Sequence, residues 1–177
     1  MTALVFVDTN VLVYARDPRD PVKQSGAREW ISLLWDGYRG RTSAQVLSEF
    51  YDVATRKLRP QVPHDDAWEE VHSYLSWNPQ PTDTDVLTRA REIERRYGLS
   101  WWNCLVVGAA QAQDCALLLS DDLQDGADYA GVRVRSPFTL RIAEEAGAYP
   151  AAPRVASRHR GRGRPRGKAR ATELQRS

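Results

Sequence analysis

The chain has 177 residues, enough for one domain and a tail, and a hydrophobic content of 42% that allows a sizeable core. No apolar run approaches the roughly 18 residues of a membrane span, the longest covering only residues 105–110, and "MTALVFVDTN" lacks the basic segment of a signal peptide. The net charge of +2 hides an asymmetry: residues 148–177 hold nine of the 25 Lys+Arg and one of the 23 acids, a net +8, which leaves −6 for residues 1–147. Cys104 and Cys115 make neither a disulfide framework nor a zinc cluster. Both sit in apolar contexts and are expected in the core. A reduced, cytoplasmic setting with no membrane partner fits these features.

In chain order, "LVFVDTN" reads as a buried parallel strand ending in polar residues. "NVLVYAR" continues as a short helix stopped by the prolines of "DPRDP". "VKQSGAREWISLLWDGY" places Ala27, Trp30, Ile31, Leu34 and Trp35 at helical spacing. "GRTS" is a short strand or a strand end, and "SAQVLSEFYDVATRKL" a helix with Ser43 as N-cap. "PHDDAWEEVHSYLSW" is a helix expected to be capped by an Asp, and "TDVLTRAREIERRYG" one that ends at Gly98. "SWWNCLVVGAAQAQD" is a helix with Ser100 as N-cap. "CALLLSDD" and "GVRVRSPF" are strands, and "FTLRIAEEAG" is a terminal helix. Strands alternating with helices predict an α/β domain with a mostly parallel sheet over residues 1–147. Residues 148–177, rich in Gly, Arg and Pro, are predicted to be a disordered basic tail that strengthens nucleic-acid binding non-specifically.

In parallel sheets ligands bind beyond the carboxyl ends of the strands. That rule points at Asp8, after "LVFV", and at Asp121 and Asp122, after "ALLLS". Asp8 is equally well read as an Asx-turn or helix cap, with Thr9 and Asn10 as hydrogen-bond partners. Glu49 has Val46 and Val53 on its helical face, so it is either a solvated edge or a charge beside the core that needs a partner. Asp121 and Asp122 alternate in direction, so at most one faces a common site, and Ser120 can orient it. Converging carboxylates persist together when they bind a divalent cation, and oxygen-only ligands suit Mg²⁺ or Mn²⁺. His64, His72 and His159 lie away from these acids, which argues against zinc chemistry.

Four segments, "FVDTNVLVYARDP", "TSAQVLSEFYDVATRK", "GLSWWNCLVVGAA" and "LLLSDDLQDG…GVRVRSPF", together resemble a PIN domain, and particularly the VapC-like ribonuclease toxins of toxin–antitoxin pairs. The resemblance covers about residues 4 to 138. It implies an α/β/α sandwich around a mostly parallel sheet and Mg²⁺- or Mn²⁺-dependent endonucleolytic cleavage of single-stranded RNA. It also implies a cognate antitoxin and a homodimer. The family's acids match Asp8, Glu49 and Asp122, with Asp121 as a neighbouring ligand candidate. Where the family has a further acid, this chain has Asn103. The carboxamide can coordinate through its oxygen but brings no charge, so the alternative is a catalytically inactive module that binds RNA or an antitoxin. From local sequence alone, Asn103 is also a neutral residue of the first helical turn. Core packing is expected of at least one of Trp101 and Trp102, and the other can offer a stacking face to an unpaired base.

Overall fold

The computed structural model describes residues 3–140. The terminal helix from residue 141 onward, the domain boundary at 147 and the basic tail lie outside the described residues. Five strands form one sheet: β1 (Val5–Val7), β2 (Gly40–Arg41), β3 (Leu117–Leu119), β4 (Asp128–Tyr129) and β5 (Val132–Arg135). Their order is β2-β1-β3-β5-β4. All neighbours are parallel except β4 and β5. The three residues of β1 and the three of β3 are fully buried, so the central strands are apolar on both faces, as sheets covered by helices require.

Helices connect the strands. They are α1 (Thr9–Arg16), α2 (Pro21–Asp36), α3 (Ala44–Asp52), α4 (His64–Tyr74), α5 (Thr84–Tyr97) and α6 (Trp101–Ala112). The expected caps form at Ser43, whose hydroxyl accepts from Val46 N, and at Ser100, whose hydroxyl accepts from Asn103 N. Gly98 closes α5 in the left-handed region at φ 67°, which glycine adopts without a Cβ penalty. The expected aspartate cap of α4 is not found. Pro63 holds that position without a side-chain cap, and Asp65 and Asp66 instead fall in the first turn, where they favour the helix dipole. α3 runs on into a π-helical turn, Val53–Lys57, and α4 into a 3₁₀ turn, Leu75–Trp77. The short β4 was not anticipated. It pairs with β5 through a two-residue turn in which Ala130 and Gly131 both have positive φ, with Asp128 Oδ1 accepting from Gly131 N at 2.9 Å.

Two close approaches hold the layers in place. Gly108 of α6 lies against the backbone of α5, where a Cβ would meet Val86 O at 3.2 Å and Ala90 N at 3.3 Å. Gly40 lies against the Trp77 ring, where a Cβ would come within 2.4 Å of the indole. Trp77 is itself wedged against Trp35 and Tyr74, each with ring centroids 5.0 Å away, so it has little room to yield. Gly40→Ala is therefore expected to destabilise the chain by about 1–3 kcal/mol, the usual cost of overpacking. Urea denaturation checks this, and an unchanged midpoint would show that the ring relaxes freely.

Candidate active site

β1 and β3 are adjacent and in register, Val7 beside Leu119, so their chains leave the sheet together. Asp8 and Ser120 are the next residues. Asp8 is buried and serves as the N-cap of α1. Its Oδ1 accepts from Thr9 N at 2.7 Å, and its Oδ2 accepts from Ser120 Oγ at 2.7 Å and Asn10 Nδ2 at 2.9 Å. Asn10 Oδ1 in turn accepts from Asp121 N at 3.0 Å, and Ser120 Oγ accepts from Asp122 N at 3.2 Å. Asp8 therefore caps α1, and the same side chain lines a cleft. Burial, first, and the nearby Asp122 and Glu49 charges push its carboxyl up from 3.8 to about 6, against the opposing hydrogen bonds from Ser120 and Thr9.

The cleft has a volume of about 400 Å³ and is lined by Asp8, Glu49, Asn103 and Asp122, among others. α3 delivers Glu49. Its Oε2 accepts from Thr9 Oγ1 at 3.1 Å and its Oε1 from Gln45 Nε2 at 3.0 Å, so it is a partnered acid at the cleft wall rather than a solvated edge. Among the described residues the Asp122 carboxylate and the Asn103 carboxamide make no side-chain hydrogen bond, which leaves both oxygens open to the cleft.

Two expectations are corrected. Asp121 is set apart from the other acids. Its Oδ2 pairs with Lys23 Nζ at 2.7 Å, its Oδ1 accepts from Ser136 Oγ at 2.9 Å, and it is not part of the cleft lining. Asp121 and Asp122 lie in the bend just beyond β3, and Lys23 of α2 pairs with the first of them. That lysine also touches Tyr14 Oη at 3.1 Å and lies over the Tyr14 ring, and the Asp121 hydrogen bond pushes its ammonium pKa upward. Nor does either of Trp101 and Trp102 enter the core, their exposures being 36% and 63%. The buried tryptophans are Trp30 and Trp77.

Other cleft residues carried no usable sequence signal. Asp17 is buried beside it and its carboxyl is held low, chiefly by hydrogen bonds from Arg19, whose Nε and Nη2 reach it at 2.6–3.1 Å. Gln45 did have a signal: it stands four residues before Glu49 on one helix, where such side chains meet.

The donor chemistry suits a hard divalent cation: three carboxylates and one carboxamide, all oxygen, around one opening. Asp8 and Glu49 are already oriented by hydrogen bonds, and their repulsion is the kind that a cation relieves. Among the described residues no three acid, histidine or cysteine side chains are close enough to enclose an ion by themselves. Mg²⁺ tolerates this, since it keeps waters and takes one or two carboxylates plus substrate phosphate oxygens.

A parallel α/β domain with an acidic cleft beyond its strand ends is the class these features define. Within that class the chain belongs to the PIN-domain family, whose model matches residues 5–128. Among solved structures it is similar to FitAB bound to an IR36 DNA fragment, with 19% identity and a TM-score of 0.59 over 78% of this chain and 98% of that one. It is also similar to DNA-bound VapBC from Salmonella typhimurium, with 17% identity and a TM-score of 0.56 over 77% of this chain and 99% of that one. A third is Mycobacterium tuberculosis VapC20, a sarcin–ricin loop cleaving toxin, with 18% identity and a TM-score of 0.50 over 64% of this chain and 86% of that one. At these identities the likeness is one of fold. The curated proteins gave no match. Among the described residues no helix is long and apolar enough to cross a membrane.

Proposed function

We propose that the chain is a Mg²⁺- or Mn²⁺-dependent endoribonuclease acting on single-stranded RNA, and the cytoplasmic toxin of a toxin–antitoxin pair. The observation that carries this reading is the meeting of Asp8, Glu49 and Asp122 with Asn103 in one cleft at the strand ends. Membership of the PIN family and the fold shared with VapC20 support it. An antitoxin partner and a homodimer rest on the resemblance to VapC-like toxins.

One or two of Asp8, Glu49 and Asp122 would hold the cation directly, and the remaining cleft oxygens, Asn103 among them, would reach it through its waters. When bound, the cation acidifies water and offsets the charge of the scissile phosphate. Asp8 is kept oriented by Ser120, Asn10 and the Thr9 N–H, and Glu49 by Thr9 and Gln45. The carboxylates are ligands in this scheme, and none attacks the phosphate.

Asn103 favours a second reading, an inactive module that binds RNA or an antitoxin, because it lines the cleft with an uncharged group. Short unstructured RNAs incubated with Mg²⁺, Mn²⁺ or EDTA separate the two. Cleavage that needs the metal and stops in EDTA is the expected result. Binding of RNA or metal without cleavage in either metal gives the second reading.

A further inference from the structure

We propose that Trp102 is the stacking platform of a base-binding subsite next to the acidic cleft. The inference rests on the RNA reading above and deepens it. A second cavity, of about 780 Å³, adjoins the cleft. The two share Thr9, Gln45, Glu49, Val53 and Trp102, so they form one continuous groove with Trp102 between its lobes. Their linings differ in degree: the cleft is lined by Asp8, Asp17, Glu49 and Asp122, and the second lobe by Glu49 and the lysine-paired Asp52. The cleft gathers carboxylates around a place for a cation and a phosphate. The second lobe sets Val53, Leu105 and the Trp102 indole beside Ser48, Thr82 and the ion pair of Lys57 with Asp52.

Core packing does not place Trp102. It is 63% exposed, while the residues that follow Asn103 on α6 are buried as far as Ala110. Its backbone is nevertheless held. Gln45 Nε2 donates both to Trp102 O at 3.4 Å and to Glu49 Oε1 at 3.0 Å, so one amide ties the Trp102 main chain to a cleft acid. An unpaired strand alternates charged phosphates with flat apolar bases. With a phosphate beside Asp8 and Glu49, the base of a flanking nucleotide falls in the lobe walled by Trp102. Every base has a π-face, so such a subsite tolerates sequence and selects for single strands.

The test is anisotropy titration of the full chain with a short unstructured oligoribonucleotide, in EDTA and again with Ca²⁺. The chains compared are the native one and Trp102→Ala, Trp102→Leu and Trp102→Phe. A second series uses the same strand with one abasic residue at successive positions. Trp102→Ala and Trp102→Leu are expected to weaken binding by roughly 5- to 150-fold, the equivalent of about 1–3 kcal/mol per stacked base. Trp102→Phe, which keeps a ring, should retain most of the affinity. At one abasic position the native chain should fall to the level of Trp102→Ala, and the substitution should have no further effect there. Equal binding by Trp102→Leu and the native chain overturns the subsite and leaves the ribonuclease reading standing, as does an undiminished Trp102→Ala deficit on every abasic strand. If sedimentation shows a native dimer that Trp102→Ala dissociates, and the deficit persists on the abasic strands, the lobe is a surface for a second copy. A native chain that binds no strand in either buffer overturns both readings.

Discussion

Asp8→Asn is expected to lower metal-dependent RNA cleavage at least about 100-fold, the upper end of what loss of a group behind a metal ligand costs, while removing a pH-dependent weakness of the metal-free protein. The second effect follows from linkage. The Asp8 carboxyl is raised from 3.8 to about 6, so between those values the folded chain holds a proton that the unfolded chain has released. Stability in EDTA therefore falls as pH rises from about 4 to about 6, by ~3 kcal/mol at roughly 1.4 kcal/mol per pH unit, and the penalty is complete above that window. Asp17 and Asp125 have the opposite sign. Their lowered carboxyls stabilise the fold above 3.8 and lose that contribution as pH falls further, so they act at the acid end. An asparagine at position 8 does not titrate, and its denaturation midpoint should be flat where the native one declines. It also forfeits one acceptor, so the comparison that matters is of slopes and not of absolute stabilities. Parallel pH profiles for the two chains would remove the buried charge at Asp8 from the account. Unchanged cleavage would remove Asp8 from the metal site.

Asn103→Asp is expected to tighten Mg²⁺ binding about 10- to 100-fold and to raise cleavage with it. The residue lies at the third position of α6, in the turn where free backbone N–H groups favour an anion, and Ser100 already accepts from its N–H. A carboxylate there joins Asp8, Glu49 and Asp122 around the same opening. Without metal the fourth charge repels the others and lowers stability. With saturating metal the added affinity returns ~1.4–2.7 kcal/mol through linkage. The signature is thus a larger metal-induced rise in unfolding temperature from a lower metal-free starting point, measured by calorimetry beside a cleavage assay. If the substitution alters neither the metal response nor cleavage, Asn103 is no more than a residue of the helix start.

Most of the fold was legible because its signals are local. Fully apolar strands, amphipathic helices and serine caps lie within a few residues of what they specify, as at Ser43 and Ser100. The strand-end rule located Asp8 and Asp122, and the alternation of strand side chains allowed only one of Asp121 and Asp122 to face the site. Which one faced it, and what held the other, depended on Lys23, 98 residues away in sequence. No period or spacing carries that information. The exposure of both Trp101 and Trp102 was hidden for a similar reason. A tryptophan beside an apolar helix reads as core, and only the placement of α3 across the cleft leaves Trp102 on an open wall. β4 escaped because "DY" between "DGA" and "AG" reads as part of a turn, and only its pairing with β5 makes it a strand.

The Asp8–Asn10–Ser120 cluster also bears on how the groove is held together. Its hydrogen bonds fasten the start of α1 to the end of β3 at several points, including the backbone N–H groups of Asp121 and Asp122. The floor is thus cross-linked by several hydrogen bonds between two segments more than a hundred residues apart. The opposite walls, α3 and α6, meet across the groove through the weaker span of Gln45 to Trp102 O. The groove is therefore fastened at its base by several hydrogen bonds and between these two walls by the longer one from Gln45.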